Sequence, residues 1–152
     1  METNTKNGVA IIVSLLLGIV LGGYLFSQSQ PRSFLSLTHC THCFSPSDLA
    51  GLLASVVIQK LPGLMPSVVV ETDRTIAIKH PFPTVRVHYV VIPKKDIKNI
   101  GVISDADMAY LSDAFSVMKE IINNEKLSNY WVYTNGPELQ KVAYLHFHLV
   151  SK

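Results

Sequence analysis

The chain has 152 residues, 48% of them hydrophobic and only 16% charged, with a net charge of +2. An average soluble chain is roughly 25% charged, so part of this one does not face water. So small a net charge excludes nucleic acid as a bulk electrostatic partner, and two cysteines are too few for a disulfide framework.

Residues 1–7 read as a short tail. From Gly8 to Phe26 the sequence is apolar, and no charge falls between Lys6 and Arg32. That run approaches the ~20 residues a helix needs to cross a bilayer. It is apolar all round, which argues against a helix lying on a membrane surface. Residues 8–26 are therefore expected to form a transmembrane helix, making the protein single-pass with the lipid bilayer as a partner. A cleaved signal sequence is the competing reading, but the run exceeds the usual length of about 7–15 residues. Lys6 and the amino terminus flank one end and Arg32 the other, so charge leaves the side of the membrane undetermined.

Residues 27–62 read as a linker with Pro31, a cluster His39-Cys40-Thr41-His42-Cys43, and a helix. Ser45 is a suitable N-cap, Pro46 suits the first helical position, and Asp48 meets the positive end of the helix dipole. Leu49, Leu52, Leu53, Val56 and Val57 recur at helical spacing, giving a helix over 46–60 that Pro62-Gly63 stops.

Residues 63–152 read as one folded unit. Three β-type runs, Val68–Glu71, Thr75–Lys79 and Val85–Ile92, are divided by the turn Thr72-Asp73-Arg74 and the loop Pro81-Phe82-Pro83. Ser104 opens a helix whose apolar stripe is Met108, Leu111, Phe115, Met118 and Ile122. Tyr130–Thr134 follows as a strand, Asn135-Gly136-Pro137 as a turn, and Val142–Val150 as the last strand. The order implies class α+β, a mainly antiparallel sheet with helices on one face.

The last run carries the chemistry. Side chains alternate across a strand, so Ala143, Leu145, Phe147 and Leu149 should cover a core. Tyr144, His146 and His148 should then share the opposite face. Imidazole titrates near neutral pH and serves as nucleophile, acid or base, so two on alternate positions suit a phosphate group or a metal. A polar, solvated strand face explains a bare His-x-His equally well.

Further residues decide between these readings. Pro66–Ile78, with Glu71-Thr72-Asp73-Arg74, the string His88-Tyr89-Val90-Val91-Ile92-Pro93-Lys94-Lys95, and Gln140–Val150 resemble, in order and spacing, the histidine-triad (HIT) family. The resemblance covers about residues 63–150. It implies a HIT-like fold, a homodimer, and hydrolysis or transfer of nucleoside monophosphates through a nucleotidyl-histidine intermediate, with no cofactor required. By position His146 is the nucleophile and His148 contacts phosphate oxygens. Gln140 and Asn135 correspond to residues near the phosphate or leaving group. The chain departs from the pattern at three places. Tyr144 stands where the first histidine of the triad would be, Lys141 follows Gln140, and His80 occupies the place of an aspartate that meets the ribose. With His146 and His148, Lys141 and His80 make an electropositive phosphate site.

Cys40 and Cys43 resemble a Cys-x-x-Cys that binds zinc in some HIT proteins. The two further ligand positions hold Asp96 and Tyr144, which are poor structural zinc ligands. Zinc at the cysteine pair therefore competes with a disulfide or free thiols. His88 reads as a structural histidine, and Trp131 and Tyr133 as core or dimer surface.

Two functions of different class fit. One is a membrane-anchored HIT-type hydrolase or nucleotidyl transferase using His146. The other is a degenerate HIT domain that binds a nucleotide, a phosphorylated small molecule or a protein without catalysis. A metal-handling protein built on the cysteine cluster is a third.

Overall fold

The computed structural model describes residues 2–32 and 45–152. Cys40 and Cys43, with His39 and His42, lie outside the described residues. Helix α1 spans Glu2–Phe26 and α2 spans Pro46–Lys60. Strands β1 (Val68–Glu71), β2 (Thr75–Lys79) and β3 (Val87–Pro93) follow, then α3 (Met108–Asn124), β4 (Trp131–Tyr133) and β5 (Phe147–Ser151). The five strands form one antiparallel sheet in the order β1-β2-β3-β5-β4.

Local chemistry sets the hairpins. Thr72 Oγ1 accepts the N–H of Arg74 (3.1 Å) and of Thr75 (2.8 Å), closing the β1–β2 turn. Its hydroxyl donates to Asp113 on α3 (2.5 Å), tying the turn to the helix. Asp107, just before α3, accepts the Ser104 N–H and hydroxyl, and Lys95 pairs with it and holds its carboxyl below the usual range.

The sheet is covered on both faces, not on one as the sequence suggests. Ala77, Tyr89, Val91, Phe147 and Leu149 face α3 and pack with Leu111, Ala114, Val117, Met118 and Ile121. Alternate residues Ile76, Val90 and Ile92 face the other way and pack with Ile58 of α2 and with Tyr144. Of the apolar stripe expected on α3, Leu111 and Met118 are buried, whereas Met108 and Phe115 are exposed. The stripe is rotated because the side bearing Ala114 lets the helix approach the sheet, leaving Phe115 at the margin against Phe147 (ring centroids 5.6 Å).

The last strand is shorter than the alternation suggests. Residues 142–146 are irregular, because their backbone N–H groups are used elsewhere. Ala143 N–H donates to Ser47 O of α2 (2.9 Å), Tyr144 N–H to Val142 O (2.8 Å), and Leu145 N–H to Ile97 O (2.6 Å). No sheet ladder can form with those donors committed. A Cβ on Gly51 would collide with the Ala143 carbonyl, so glycine is what lets α2 sit this close.

Residues 27–32, expected to be a polar linker, are docked. Arg32 is buried, and its guanidinium donates to both carboxylate oxygens of buried Asp96 (2.9 Å each). Gln30 N–H also donates to Asp96 (2.8 Å), and Ser29 and Ser55 hydroxyls meet at 3.0 Å. In α1, Asn7–Phe26 is long and apolar enough to cross a membrane, and none of it is buried against the rest of the chain.

Candidate functional site

The face of the sheet opposite α3 is only half covered by α2. Its uncovered end carries a cluster of imidazoles. Register places His148 beside Val90 and Tyr133, and His88 beside Val150, so His88 and His148 are diagonal neighbours on adjacent strands. His88 Nε2 and His148 Nδ1 are 2.9 Å apart, one donating to the other. His80, the residue after β2, is held by its N–H to His88 O (2.8 Å), and its ring stacks on His88 at 4.1 Å between centroids. Tyr133 stacks on His148 at 4.8 Å.

His146 stands edge-on to His148, with centroids 5.0 Å apart. Its Nδ1 lies 2.7 Å from the Tyr144 carbonyl. A carbonyl only accepts, so Nδ1 carries a proton, and in the neutral ring the lone pair then lies on Nε2. His146 is thereby fixed in the tautomer a nucleophile needs.

A cavity of about 350 Å³ collects His80, His88, Asn135, Lys141, His146, His148 and Tyr133. The residues proposed from sequence as substrate contacts thus divide. His80, Asn135 and Lys141 line the cavity with the two catalytic candidates. Gln140 is buried and absent from its lining. Tyr144 shares the sheet face of the histidines but does not line their cavity. It is buried under α2, and its hydroxyl donates to Pro93 O (3.0 Å). Alternation persists through the irregular segment, with Leu145 packed in the α3 core, and it is α2 lying over this end of the face that seals Tyr144 off from the cavity. His88, expected to be structural, and Tyr133 both belong to the cluster. Alternation put His88 on one face of β3, but only pairing with β5 brings that face to His148.

Burial disfavours the charged forms of His148 and His88. Burial pushes the His148 pKa down to about 4, helped by His146, His88 and His80 nearby. Burial and His80 also lower that of His88. An anion beside His148 and His88 would favour their charged forms, because the added positive charge would then have a partner.

A family model described as "Scavenger mRNA decapping enzyme C-term binding" matches residues 62–152, more than half of the chain. The chain belongs to the histidine-triad (HIT) family. A HIT-like protein of Chlamydia trachomatis is 35% identical over 86 residues, 55% of this chain and 78% of that one. A HIT family hydrolase from Clostridium thermocellum superposes with a TM-score of 0.59 at 27% identity, covering 66% of this chain and 89% of that one. A HIT family hydrolase from Legionella pneumophila gives 0.57 at 28% identity, over 62% and 88%.

Against that HIT framework, the structure tests zinc through its two additional ligand positions. Asp96 is engaged by Arg32 and Gln30, and the Tyr144 hydroxyl by Pro93 O. A zinc ion there would have to displace a buried guanidinium, so these two residues do not fit a four-ligand site. Among the described residues no group of three metal-binding side chains is set to hold an ion.

Proposed function

We propose that this chain is a membrane-anchored HIT-type phosphohydrolase or nucleotidyl transferase with His146 as nucleophile. One observation carries the reading: the bond from His146 Nδ1 to the Tyr144 carbonyl, which leaves Nε2 free to attack phosphorus. The replaced first triad residue does not cancel it, because the group that orients His146 is the backbone carbonyl of residue 144, which tyrosine retains.

In the reaction Nε2 bonds to phosphorus while the bond to the leaving group breaks, and the leaving group departs with its electron pair. Water then attacks phosphorus, the P–N bond breaks, and the imidazole is restored. Lys141, Asn135 and His148 lie where they can contact the phosphate oxygens, and the charge on Lys141 offsets the negative charge that builds on them. The His80–His88 stack backs His148 and keeps its ring in place.

Anchoring by α1 rests on its length and apolar surface. A homodimer is supported by the exposed edge strand β4, with Trp131 and Val132, and by exposed Met108 and Phe115 on α3. The second reading, a catalytically degenerate binder, draws on Tyr144 in place of a histidine. Dinucleoside polyphosphates and nucleoside phosphoramidates offered to the full chain separate the two. Turnover that His146→Ala abolishes supports the enzyme; no turnover, with a ligand-induced rise in melting temperature, supports the binder.

A further inference from the structure

His80, which lines the histidine cavity, holds the place of an aspartate that meets the ribose in HIT proteins. The exchange reverses the sense of its hydrogen bonds. An ionised carboxylate only accepts, so it suits the two hydroxyls of a sugar. At His80 the Phe82 N–H donates to Nδ1 (3.1 Å), which must therefore keep its lone pair, and the proton of the ring lies on Nε2. Nε2 is thus fixed as a donor. The ring is held by its stack on His88 and by the bond from the His80 N–H to His88 O.

A lone donor would still serve a sugar hydroxyl, but its surroundings favour an anion. His80 and His88 also line a second cavity, of about 230 Å³, at the loop end of the β2–β3 hairpin. Lys79 and Arg86 stand in its wall. Both are exposed, and among the described residues neither lies within ion-pair distance of a carboxylate. Glu125 lines the same cavity, and its carboxylate accepts the Tyr89 hydroxyl (2.5 Å). Lys79 and Arg86 against Glu125 leave a positive excess, which a phosphate uses and a neutral hydroxyl does not. The His80 and His148 ring centroids are 6.3 Å apart, a gap that one sugar unit spans.

Resting on the reading of His146 as nucleophile, we propose that the substrate carries a second phosphate on its sugar. The reacting phosphate sits at His146, His148 and Lys141, and the second is held by His80, Lys79 and Arg86. The substrate class is a nucleoside 5′-phosphoryl compound whose ribose bears a phosphate at the 2′ or 3′ position in place of the free diol. His80 is the residue that selects it.

The test uses the full chain in nanodiscs, with empty nanodiscs as control. The substrates are adenosine 5′-phosphoramidate and its 2′-phosphate and 3′-phosphate derivatives. His146 Nε2 bonds to the 5′ phosphorus as the P–N bond to the amine breaks. The amine departs with the electron pair and takes up one proton as ammonia. Water then bonds to phosphorus, the bond to His146 breaks, and one water proton goes to solvent. A hydrogen bond to a charged group is worth about tenfold or more. At least one phosphorylated derivative should therefore exceed the parent about tenfold or more in kcat/KM, and added salt should shrink that ratio. Arg86→Gln should lower the ratio severalfold. His80→Asp should invert it, because a carboxylate repels the second phosphate and accepts from the free diol. A ratio near unity, or one that His80→Asp leaves unchanged, overturns the proposal and leaves His146 chemistry standing. If nothing is turned over, the catalytic reading fails separately. Titration then decides the second site, with adenosine 5′-monophosphate, adenosine 5′-diphosphate and the 2′,5′- and 3′,5′-bisphosphates. The diphosphate carries its extra charge on the 5′ chain and so controls for charge alone. Binding of either bisphosphate about tenfold tighter than both controls upholds the proposal. Equal Kd values, or no binding of the bisphosphates, overturn it.

Discussion

The two halves of the sheet face opposite α3 begin from the same strands and end differently. At one half, α2 lies on Ile76, Val90 and Ile92, and Tyr144 is sealed beneath it. At the other, α2 does not reach His88 and His148, neighbouring rings pack on them, and the half-open site forms there. What separates them is a few backbone bonds. Ser47 O captures the Ala143 N–H, and Gly51 allows the close approach. The segment leaves the sheet, and regular pairing resumes only at Phe147. Cover and cleft are consequences of one irregular stretch, and His146 stands where they meet.

The sharpest way to break this contrast is at the junction. His146→Ala should lower turnover on the order of 10³-fold or more, as removal of a nucleophile does, while leaving the melting temperature close to that of the parent. An equal loss of both would mean His146 serves the fold instead. Next in size is the covered end. Asp96→Asn leaves buried Arg32 without its charge partner, and such a break costs roughly 3–5 kcal/mol. Urea or thermal unfolding should show it, and Arg32→Met with Asp96→Leu should recover much of the loss.

Gly51→Ala probes the seam itself. The added methyl has nowhere to go against Ala143 O, and overpacking of this kind costs about 1–3 kcal/mol. Because it displaces the segment that carries the Tyr144 carbonyl, it should also reduce kcat. Stability lost without any change in kcat would show that α2 and the His146 tautomer are uncoupled.

The smallest effect lies in the open half and is read against pH. The His148 pKa is about 4 when folded and near 6.5 when unfolded. Between those values the unfolded chain binds more protons. The stability this histidine contributes is therefore intact above about pH 6.5 and is lost as pH falls towards 4. His88 shifts in the same direction. His148→Asn should flatten the decline of melting temperature over that window. An unchanged decline would place the acid sensitivity elsewhere.

Much of the fold was legible from residues near one another in the chain. β1, β2 and α2 have the bounds their turn and cap residues imply, because Thr72, Pro46 and Pro62-Gly63 act within a few positions. The family was legible through ordered motifs, and His80, Asn135, Lys141, His146 and His148 do fall in one cavity. Less was legible wherever a distant group intervened. Alternation alone extended β5 back to Val142, and it gave no sign that α2 would seal Tyr144 away from the histidine cavity. The helical period alone put Phe115 and Met108 in the core.

By itself, then, the sequence determined the strand and helix periods, the apolar stretch Gly8–Phe26 and the two-residue spacing of His146 and His148. Those follow from side-chain order along a backbone of fixed geometry. Only the tertiary structure decided which donor each backbone group in 142–146 meets, which side of α3 reaches the sheet, and that His88 and Tyr133 join the site. Hydrogen-bond capture by Ser47 O and Ile97 O, and strand register between β3, β5 and β4, depend on groups far apart in the chain, and local pattern carries no record of them.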